Sequence, residues 1–283
     1  MGVDNNQKIA IYKDWGLKLL VWGTVLFITS IFLWIAIDVA SNGIGQISWE
    51  FLTTEPRNAG RSGGILSVLI STGLILLVCL GSAVPLGLGT AILLAEYTPI
   101  QNWFARWVRR SLDLLAGVPS IVFGLFGNAF FCIYLGLGFS ILSGGLTLAC
   151  MILPILIRTI EMGLRSVPQD YRLAAVSLGL SRTSTLVHVL LPSAIPSLLA
   201  GLILGMGRAI AEAAALIYTS GYVDRTPESL FDSGRSLSIH IYDLSMNVPG
   251  GDKNAYASVL VLLVLLLSIN SITTGFSRLW ISK

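Results

Sequence analysis

The sequence predicts an all-α integral membrane protein with six transmembrane helices. Two properties of the composition carry this prediction: only 12% of the residues are charged, and the mean hydropathy is +0.79. A soluble globular domain typically carries about 25% charged residues, so the shortfall indicates a chain surrounded by lipid. The net charge of +3 is small and is not gathered on one face, so nucleic acid is not an expected partner.

Six apolar stretches approach or exceed the ~20 residues that a helix needs to cross a bilayer. They cover residues 16–40, 64–94, 114–135, 138–160, 192–220 and 255–280. The first is too long for the core of a signal peptide and is expected to be retained. The second is longer than a straight crossing requires, which indicates tilt or an extension beyond the membrane. We expect a single six-span domain, residues 16–280, flanked by short cytoplasmic segments, residues 1–15 and 281–283.

Lysine and arginine predict the orientation, because these residues are enriched in the cytoplasmic loops of membrane proteins. If the N-terminus lies inside, twelve of the 18 fall on cytoplasmic segments, five fall outside, and Arg208 lies within a span. The twelve are Lys8, Lys13, Lys18, Arg106, Arg109, Arg110, Arg158, Arg165, Arg172, Arg182, Arg278 and Lys283. The five are Arg57, Arg61, Arg225, Arg235 and Lys253. Both termini are therefore predicted to be cytoplasmic.

The loops then fall into two outer segments, residues 41–63 and 221–254, and a long inner loop, residues 165–192. In the second outer loop, Leu237, Ile241 and Leu244 recur at helical spacing. This pattern predicts a short amphipathic helix that rests on the outer surface. The three cysteines lie in apolar stretches without paired spacing, so they are expected to be free thiols and not metal ligands.

The inner loop is predicted to form two short helices. QDYRLAAVSL follows Pro168 as the first helix, Gly179 supplies a permissive turn, and Ser181 can cap a second helix that runs to Leu191. Pro192 then begins the fifth span. Ala174 and Ala175 leave a shallow spot on the first helix, where a partner can approach. Spacing alone leaves two interpretations open: a docking surface or a purely structural loop.

Two short stretches beside this loop carry further polar residues. At the end of the fourth span, Arg158, Glu161 and Arg165 are spaced so that they can pair near the interface and reach water. At the start of the third span, Asp113 is expected to cap a helix or to pair with Arg109 or Arg110.

The segment GMGRAIAEAAALI, residues 205–217, places two charges inside the fifth apolar stretch. In a continuous helix Arg208 lies roughly 18 Å from Pro196, near the middle of a ~30 Å hydrocarbon core. An arginine there costs about 2.5–3.5 kcal/mol on insertion scales. Glu212, at i+4, lies on the same helix face within ion-pair reach.

This pair has two interpretations. In the first, it is a buried ion pair that fixes helix packing. In the second, Arg208 binds an oxyanion on a transport pathway, because its planar fork gives bidentate hydrogen bonds. Glu212 then holds the arginine in place and weakens anion binding enough for release.

The third apolar stretch opens with LLAGVPSIVFGLFGNAF, in which Pro119 is expected to kink the helix. Ser120 and Asn128 are uncommon polar residues at this depth. Packing of helices through small residues is one interpretation, and a place for Ser120 on the anion path beside Arg208 is the other.

The inner loop resembles the cytoplasmic signature of ABC importer permeases, which has an EAA sequence, a later glycine and a closing LP. The matching positions are Leu173-Ala174-Ala175, Gly179 and Leu191-Pro192. The family's glutamate is Leu173 here, a departure that concerns its polar contact with the ATPase and not the fold of the loop. The resemblance implies that this loop couples the chain to a separate ATP-hydrolysing subunit. Consistently, the chain has no GxxxxGK[ST] phosphate loop, and no cofactor of its own is expected.

GRAIAEAAALI is similar to the GRAIGETA segment of phosphate ABC permeases, the PstA and PstC subunits. Arg208 and Glu212 match its charged positions, whereas Ala211 and Ala213 replace its glycine and threonine. The PstA family is favoured over PstC by four further segments, SWEFLTTEPRNAGRSGGI, LAEYTP, LLAGVPSIVFGLFG and SLFDSGRSLSIHIY.

This second resemblance implies a type I importer permease of a bacterial inner membrane, with Arg208 and Glu212 along the phosphate route. It also implies four kinds of partner: a second, PstC-like permease, a dimer of PstB-like ATPase subunits, a PstS-like periplasmic phosphate-binding protein, and membrane lipid. Two alternatives stay open: transport of another oxyanion such as sulfate or molybdate, and a membrane subunit that does not transport.

Overall fold

The computed structural model describes residues 3–99 and 101–281, with side chains for residues 15–99 and 101–275. The helices in chain order are α1 (Val3–Gly43), α2 (Trp49–Thr53), α3 (Leu66–Ile92), α4 (Trp103–Ala116), α5 (Ser120–Gly127), α6 (Ile141–Ser166), α7 (Gln169–Ser177), α8 (Arg182–Thr185), α9 (Leu191–Ile210), α10 (Ala214–Ile217), α11 (Leu237–Met246) and α12 (Asp252–Ile281). Three π-helical segments extend α3, extend α5 and join α8 to α9; they are Leu93–Tyr97, Asn128–Tyr134 and Leu186–Leu190. Strands β1 (Pro56–Arg57) and β2 (Ser62–Gly63) form a small antiparallel hairpin.

The predicted all-α membrane architecture is confirmed. Within the described residues, five helices are long and apolar enough to cross a membrane, and a bent pair makes a sixth span. The five are Trp15–Gln46, Leu66–Tyr97, Ile141–Ser166, Arg182–Ile210 and Asp252–Gly275. Of the predicted end segments, residues 1–2 and 282–283 lie outside the described residues, and α1 already begins at Val3.

The third span differs from its predicted form. The kink expected at Pro119 is present and is sharper than a simple kink, because α4 and the helix formed by α5 with its π-helical extension meet at an angle of 103°. The break falls at Gly117–Pro119, where proline lacks an N–H and disfavours a helical residue before it. The bent pair that is apolar enough to count as a span, Trp103–Ala116 with Ser120–Tyr134, therefore begins before the predicted start at residue 114. The preceding helix, α4, exposes Trp103 and Trp107 and packs Ala105 and Leu112 against the body.

The fifth span also differs from its predicted bounds, residues 192–220. It begins at Arg182, because α8, the π-helical segment and α9 form one long helix, and it ends at Ile210. Pro192 lies within this helix rather than at its start. The π-helical turn just before it accommodates the missing N–H of the proline. The predicted cap at Ser181 is confirmed, since its Oγ accepts a hydrogen bond from the Ser184 N–H at 3.1 Å.

The core of the bundle is centred on α6, which packs against α3 on one side and α9 on the other. Ile75, Leu148, Met151, Ile152 and Leu156 are fully buried there. By contrast, α1 packs mainly against α12, and large apolar side chains along its described part are exposed. The folded body is therefore formed by the later spans, with α1 at its edge.

A close approach between α6 and α9 depends on Gly163. A side chain at this position would overlap the Cβ and Oγ atoms of Ser197. We expect Gly163→Ala to lower the free energy of unfolding by about 1–3 kcal/mol, the usual cost of overpacking a tight contact. Thermal unfolding of the purified protein in detergent measures this effect. Gly81→Ala in α3 is the matched control, because nothing lies within 4 Å of its added carbon, and equal losses for both variants would contradict the prediction.

The helix α11 forms where the sequence predicts a helix, but it does not rest on the surface. Leu237, Ser238, Ile239 and His240 are all buried. The Leu237 N–H donates to Thr72 Oγ1 of α3 at 2.9 Å. The surface position is therefore wrong: α11 packs between α3 and α12 with its first turn directed into the bundle.

His240 on α11 is a buried neutral histidine in a charged setting. Arg235 lies 3.5 Å from its Nδ1 and forms an ion pair with Asp243 at 3.2 Å. Burial, and next the positive charge of Arg235, lower the pKa of His240 from its ordinary 6.5 to about 4, while Asp243 opposes the shift. Since the unfolded chain binds a proton near pH 6.5 and the folded chain does not until about pH 4, stability is complete above pH 6.5 and falls between these values.

We therefore expect acidification from pH 7 to pH 4 to remove up to about 3 kcal/mol of stability through this one residue. The measurement is the difference in melting temperature between the native protein and His240→Gln as the pH is lowered. This difference in melting temperature should change as the pH falls from 6.5 to 4. His188→Gln is the control, because His188 is the other histidine of the chain and is exposed. A pH-independent gap for His240→Gln would refute the prediction.

Candidate functional site

Arg208 lies in the last turn of α9, two residues before that helix ends at Ile210. The helices α9 and α6 are antiparallel, with Gly201 beside Leu156 and Gly205 beside Ile152. Arg208 lies one turn beyond Gly205, at about the level of residue 149. The apolar part of α6, residues 141–157, is roughly 25 Å long, so this level is close to its centre.

The helix that carries Arg208 ends directly after it. α9 stops at Ile210, Ala213 adopts φ −115° and ψ −45°, and α10 restarts at Ala214. Alanine is the best helix former, so local propensity does not predict this break. Two polar contacts stabilise it: the Glu212 carboxylate accepts a hydrogen bond from the Ala215 N–H at 3.1 Å, and Ser238 of α11 donates to the Glu212 carbonyl.

The expected ion pair between Arg208 and Glu212 does not form. The break rotates Glu212 away from its i+4 position, and its carboxylate caps α10 instead. Among residues with described side chains, Arg208 makes no salt bridge and no side-chain hydrogen bond, and it is half-buried. A guanidinium at this depth without a counter-charge is costly unless it faces water or a ligand.

Ser120 lies at the same depth as this break. Gly124 of α5 packs closely against Ala215 of α10. A Cβ atom added at Gly124 would lie only 2.8 Å from the Cα of Ala215. Ser120 is one turn earlier on α5, level with residues 211–213, and it is half-buried. Asn128 has a structural contact, since its Nδ2 donates to the Tyr218 carbonyl at 2.8 Å. The fold therefore brings Ser120, and not Asn128, to the level of the helix break that follows Arg208.

The predicted coupling loop forms the two helices α7 and α8 around Gly179. Gly179 has φ +71°, the left-handed conformation that favours glycine. Ala174 is exposed, whereas Ala175 is buried against the chain itself, so only the first of the two lies at the surface. Leu173 is exposed as well. The closing pair, Leu191 and Pro192, lies at the start of α9.

An ion cluster at the end of α6 is larger and more buried than expected. Glu161 was predicted to reach water, which is wrong, because its side chain is only 2% exposed. Its carboxylate binds three guanidinium groups: Arg109 at 2.7 Å, Arg165 at 3.0 Å and Arg158 at 3.3 Å. We call Arg109, Arg158, Arg165 and Arg172 the arginine-rich end of the bundle.

Asp113 belongs to the same cluster, with a different partner from the one expected. It pairs with Arg158 at 3.1 Å and not with Arg109 or Arg110. The bend between α4 and α5 accounts for this difference, since it lays α4 against α6.

Arg172 and Glu96 form an ion pair that no pattern in the sequence predicts. The distances are 2.6 Å from Nη2 to Oε1 and 3.3 Å from Nε to Oε2. The residues are 76 positions apart, so no local spacing connects them. The only signal in the sequence is an acidic residue at the very end of an apolar span, in LAEYTP.

Comparisons with known proteins identify the family. The family described as "Binding-protein-dependent transport system inner membrane component" matches residues 83–281, most of the chain. The chain belongs to this family. The probable ABC transporter permease protein YqgI of Bacillus subtilis (strain 168) is 35% identical over 245 residues, covering 81% of this chain and 83% of that protein. The phosphate transport system permease protein PstA of Mycobacterium leprae (strain TN) is 34% identical over 220 residues, covering 76% and 71%.

A solved structure supports the same fold. A bacterial alginate ABC transporter, in complex with an alginate pentasaccharide-bound periplasmic protein, contains a chain with a TM-score of 0.66. That chain is 14% identical, and the match covers 95% of this chain and 97% of the other. The predicted resemblance to PstA permeases and the type I permease fold are both confirmed. This binding-protein-dependent permease is thus a multi-pass membrane subunit of an ABC importer.

Proposed function

We propose that this permease subunit imports phosphate, using Arg208 as a transient binding group on the translocation path. The single observation that carries the proposal is the position of Arg208 at mid-depth, at a helix break, with no described counter-charge. An arginine in that setting offers a planar fork to an oxyanion. The name of the Mycobacterium leprae relative supports phosphate as the anion.

In this proposal the structure of the break gives Glu212 a different role from a counter-ion. Glu212 caps α10 and fixes where the helix reopens, while the guanidinium of Arg208 stays available. Ser120 lies at the same level on α5 and is proposed to line the same path. Release of the anion then depends on weak binding by a single cation rather than on a competing carboxylate.

The partners and the orientation belong to the same proposal. The arginine-rich end faces the cytoplasm of a bacterial cell, with both termini inside and the chain in the inner membrane, as the lysine and arginine distribution favours. The exposed helix α7 docks on a separate ATPase dimer, and ATP is used there. A second permease completes the path, and a periplasmic phosphate-binding protein docks on the outer loops.

Radioactive phosphate uptake tests the proposed function. The gene is deleted in cells that lack other phosphate uptake systems, and uptake is measured at low external phosphate. We expect high-affinity uptake to disappear and to return with the intact gene. Unchanged uptake after deletion would refute the proposal.

Competition by unlabelled anions distinguishes phosphate from other oxyanions. The guanidinium of Arg208 can form bidentate hydrogen bonds with sulfate and molybdate as well as with phosphate. The selectivity for phosphate is therefore measured in the competition assay and is not inferred from this residue. We expect excess phosphate, and not sulfate or molybdate, to block the labelled uptake. Efficient block by sulfate or molybdate would favour the alternative cargo.

A further inference from the structure

The helix α7 is loosely attached to the rest of the protein. Of its nine residues only Ala175 is buried, whereas Tyr171, Leu173 and Val176 are more than half exposed. Two cavities, of about 200 Å³ and 460 Å³, are both lined by Arg172. A helix surrounded by open space depends on few contacts to move together with the body.

Arg172 connects α7 to the body through several hydrogen bonds of one guanidinium group. Besides its two bonds to Glu96, Nη1 donates to the Val167 carbonyl at 2.8 Å and Nη2 to the Leu164 carbonyl at 2.9 Å. The last carbonyls of a helix have no partners within it, and a cation near them is stabilised by the helix dipole. Arg172 therefore caps the end of α6 while it binds the end of the α3 span.

The segment that carries Glu96 is held rigidly from the other side. The carbonyl of Leu94, in the same π-helical turn, accepts hydrogen bonds from Arg109 of α4 and Arg165 of α6. Both arginines also bind Glu161, so α3, α4 and α6 meet in one hydrogen-bonded cluster. A force on Glu96 thus acts on three helices together.

The two routes out of α7 differ in where they lead. Along the chain, the turn at Gly179 leads into α8 and α9, and α7 lies against the π-helical segment Leu186–Leu190 that joins those two helices. The pair Arg172–Glu96 leads instead to α3, which is not a covalent neighbour of α7. Two parallel connections allow the body around α6 and the helix that carries Arg208 to respond together.

We propose that the ion pair Arg172–Glu96 is the joint that transmits movement of α7 to the α3–α4–α6 body, so that ATPase closure is coupled to opening of the path. Both are positioning residues, because neither touches the cargo. The inference rests on the proposed function for the identity of the cargo and of the ATPase. A bidentate arginine–carboxylate pair suits this role, since it fixes orientation as well as distance.

The test compares phosphate transported with ATP hydrolysed in the same vesicles, containing the whole complex with its ATPase and binding protein. We expect Glu96→Gln and Arg172→Gln to lower the phosphate carried per ATP by at least about tenfold, while the assembled complex and its hydrolysis persist. Arg172→Lys keeps the positive charge but not the bidentate geometry, so its phosphate carried per ATP is expected to lie between that of the native complex and that of Arg172→Gln. Asp113→Asn is the matched control, as it removes another arginine–carboxylate pair of the same cluster that does not involve α7.

An unchanged ratio would overturn the proposal. So would a parallel loss of uptake and hydrolysis that follows the amount of assembled complex, because that pattern means a purely structural pair. If native vesicles take up no phosphate, the proposed cargo fails, and coupling is then read without cargo from the maleimide reactivity of Tyr97→Cys. ATP should change this reactivity when Glu96 is present and not in Glu96→Gln, and an equal change in both would refute the joint.

Discussion

Replacing Arg208 with glutamine is expected to abolish phosphate uptake while the complex still assembles and hydrolyses ATP. The guanidinium forms no ion pair with the described side chains, so its removal leaves no buried partner uncompensated. What is lost is the binding of the anion. Two charge-assisted hydrogen bonds of about 1.5 kcal/mol each correspond to a roughly 100-fold loss of affinity.

Glu212→Gln separates this prediction from the ion-pair hypothesis. A glutamine oxygen can still accept from the Ala215 N–H, so the break should persist and most of the uptake should remain. If Glu212 were the counter-ion of Arg208, its neutralisation would instead tighten anion binding and slow release. Phosphate uptake by Arg208→Lys is expected to lie between that of the native protein and that of Arg208→Gln, because lysine keeps the positive charge but cannot form bidentate hydrogen bonds. Loss of assembly in Arg208→Gln would show that the arginine is structural.

Replacing Glu161 with glutamine is expected to destabilise the protein by about 3–5 kcal/mol, the usual cost of removing one partner from a buried ion pair. Its side chain is 2% exposed, and its loss leaves three guanidinium groups facing one another without their shared carboxylate. The measurement is thermal unfolding of the purified protein in detergent.

Asp113→Asn is the control for Glu161→Gln, because it pairs with Arg158 from a side chain that is 57% exposed. Such a pair is worth at most about 1 kcal/mol. A double-mutant cycle of Glu161→Gln with Arg109→Gln should be strongly non-additive. Equal melting temperatures for Glu161→Gln and Asp113→Asn would contradict the prediction.

The positions of the spans were largely predictable, because lipid imposes the same requirement on every crossing helix. Length and apolar content placed α3, α6 and α12 within a few residues of their observed positions. The third and fifth spans depart from their predicted bounds near Pro119 and Pro192. The sequence predicts the kink at Pro119 but not its angle, and it does not predict that the helix continues through Pro192. One proline separates two helices at 103°, and the other is absorbed in a π-helical turn.

The candidate site was predictable in its residues and not in its contacts. Arg208 and Glu212 stand out in the sequence because charges are rare in the membrane. Their separation depends on Ser238, which reaches the Glu212 carbonyl from α11, and no local pattern predicts that contact. Likewise, Glu161 was visible beside its neighbours on α6, whereas Arg109, Leu94 and the pair of Arg172 with Glu96 come from other helices.

The sequence by itself therefore determined that the chain spans the membrane, approximately which stretches cross it, and which charges lie within an apolar stretch. These properties depend on burial in lipid and on helical rise, both of which are local. Only the tertiary structure decided that the fifth helix breaks at residues 211–213, that Arg208 lacks Glu212 as a counter-ion, and that α7 is tied to α3. A helix break frees backbone N–H and C=O groups from their partners within the helix. The break is stable only where another segment forms hydrogen bonds with these groups, and that segment is distant in the sequence.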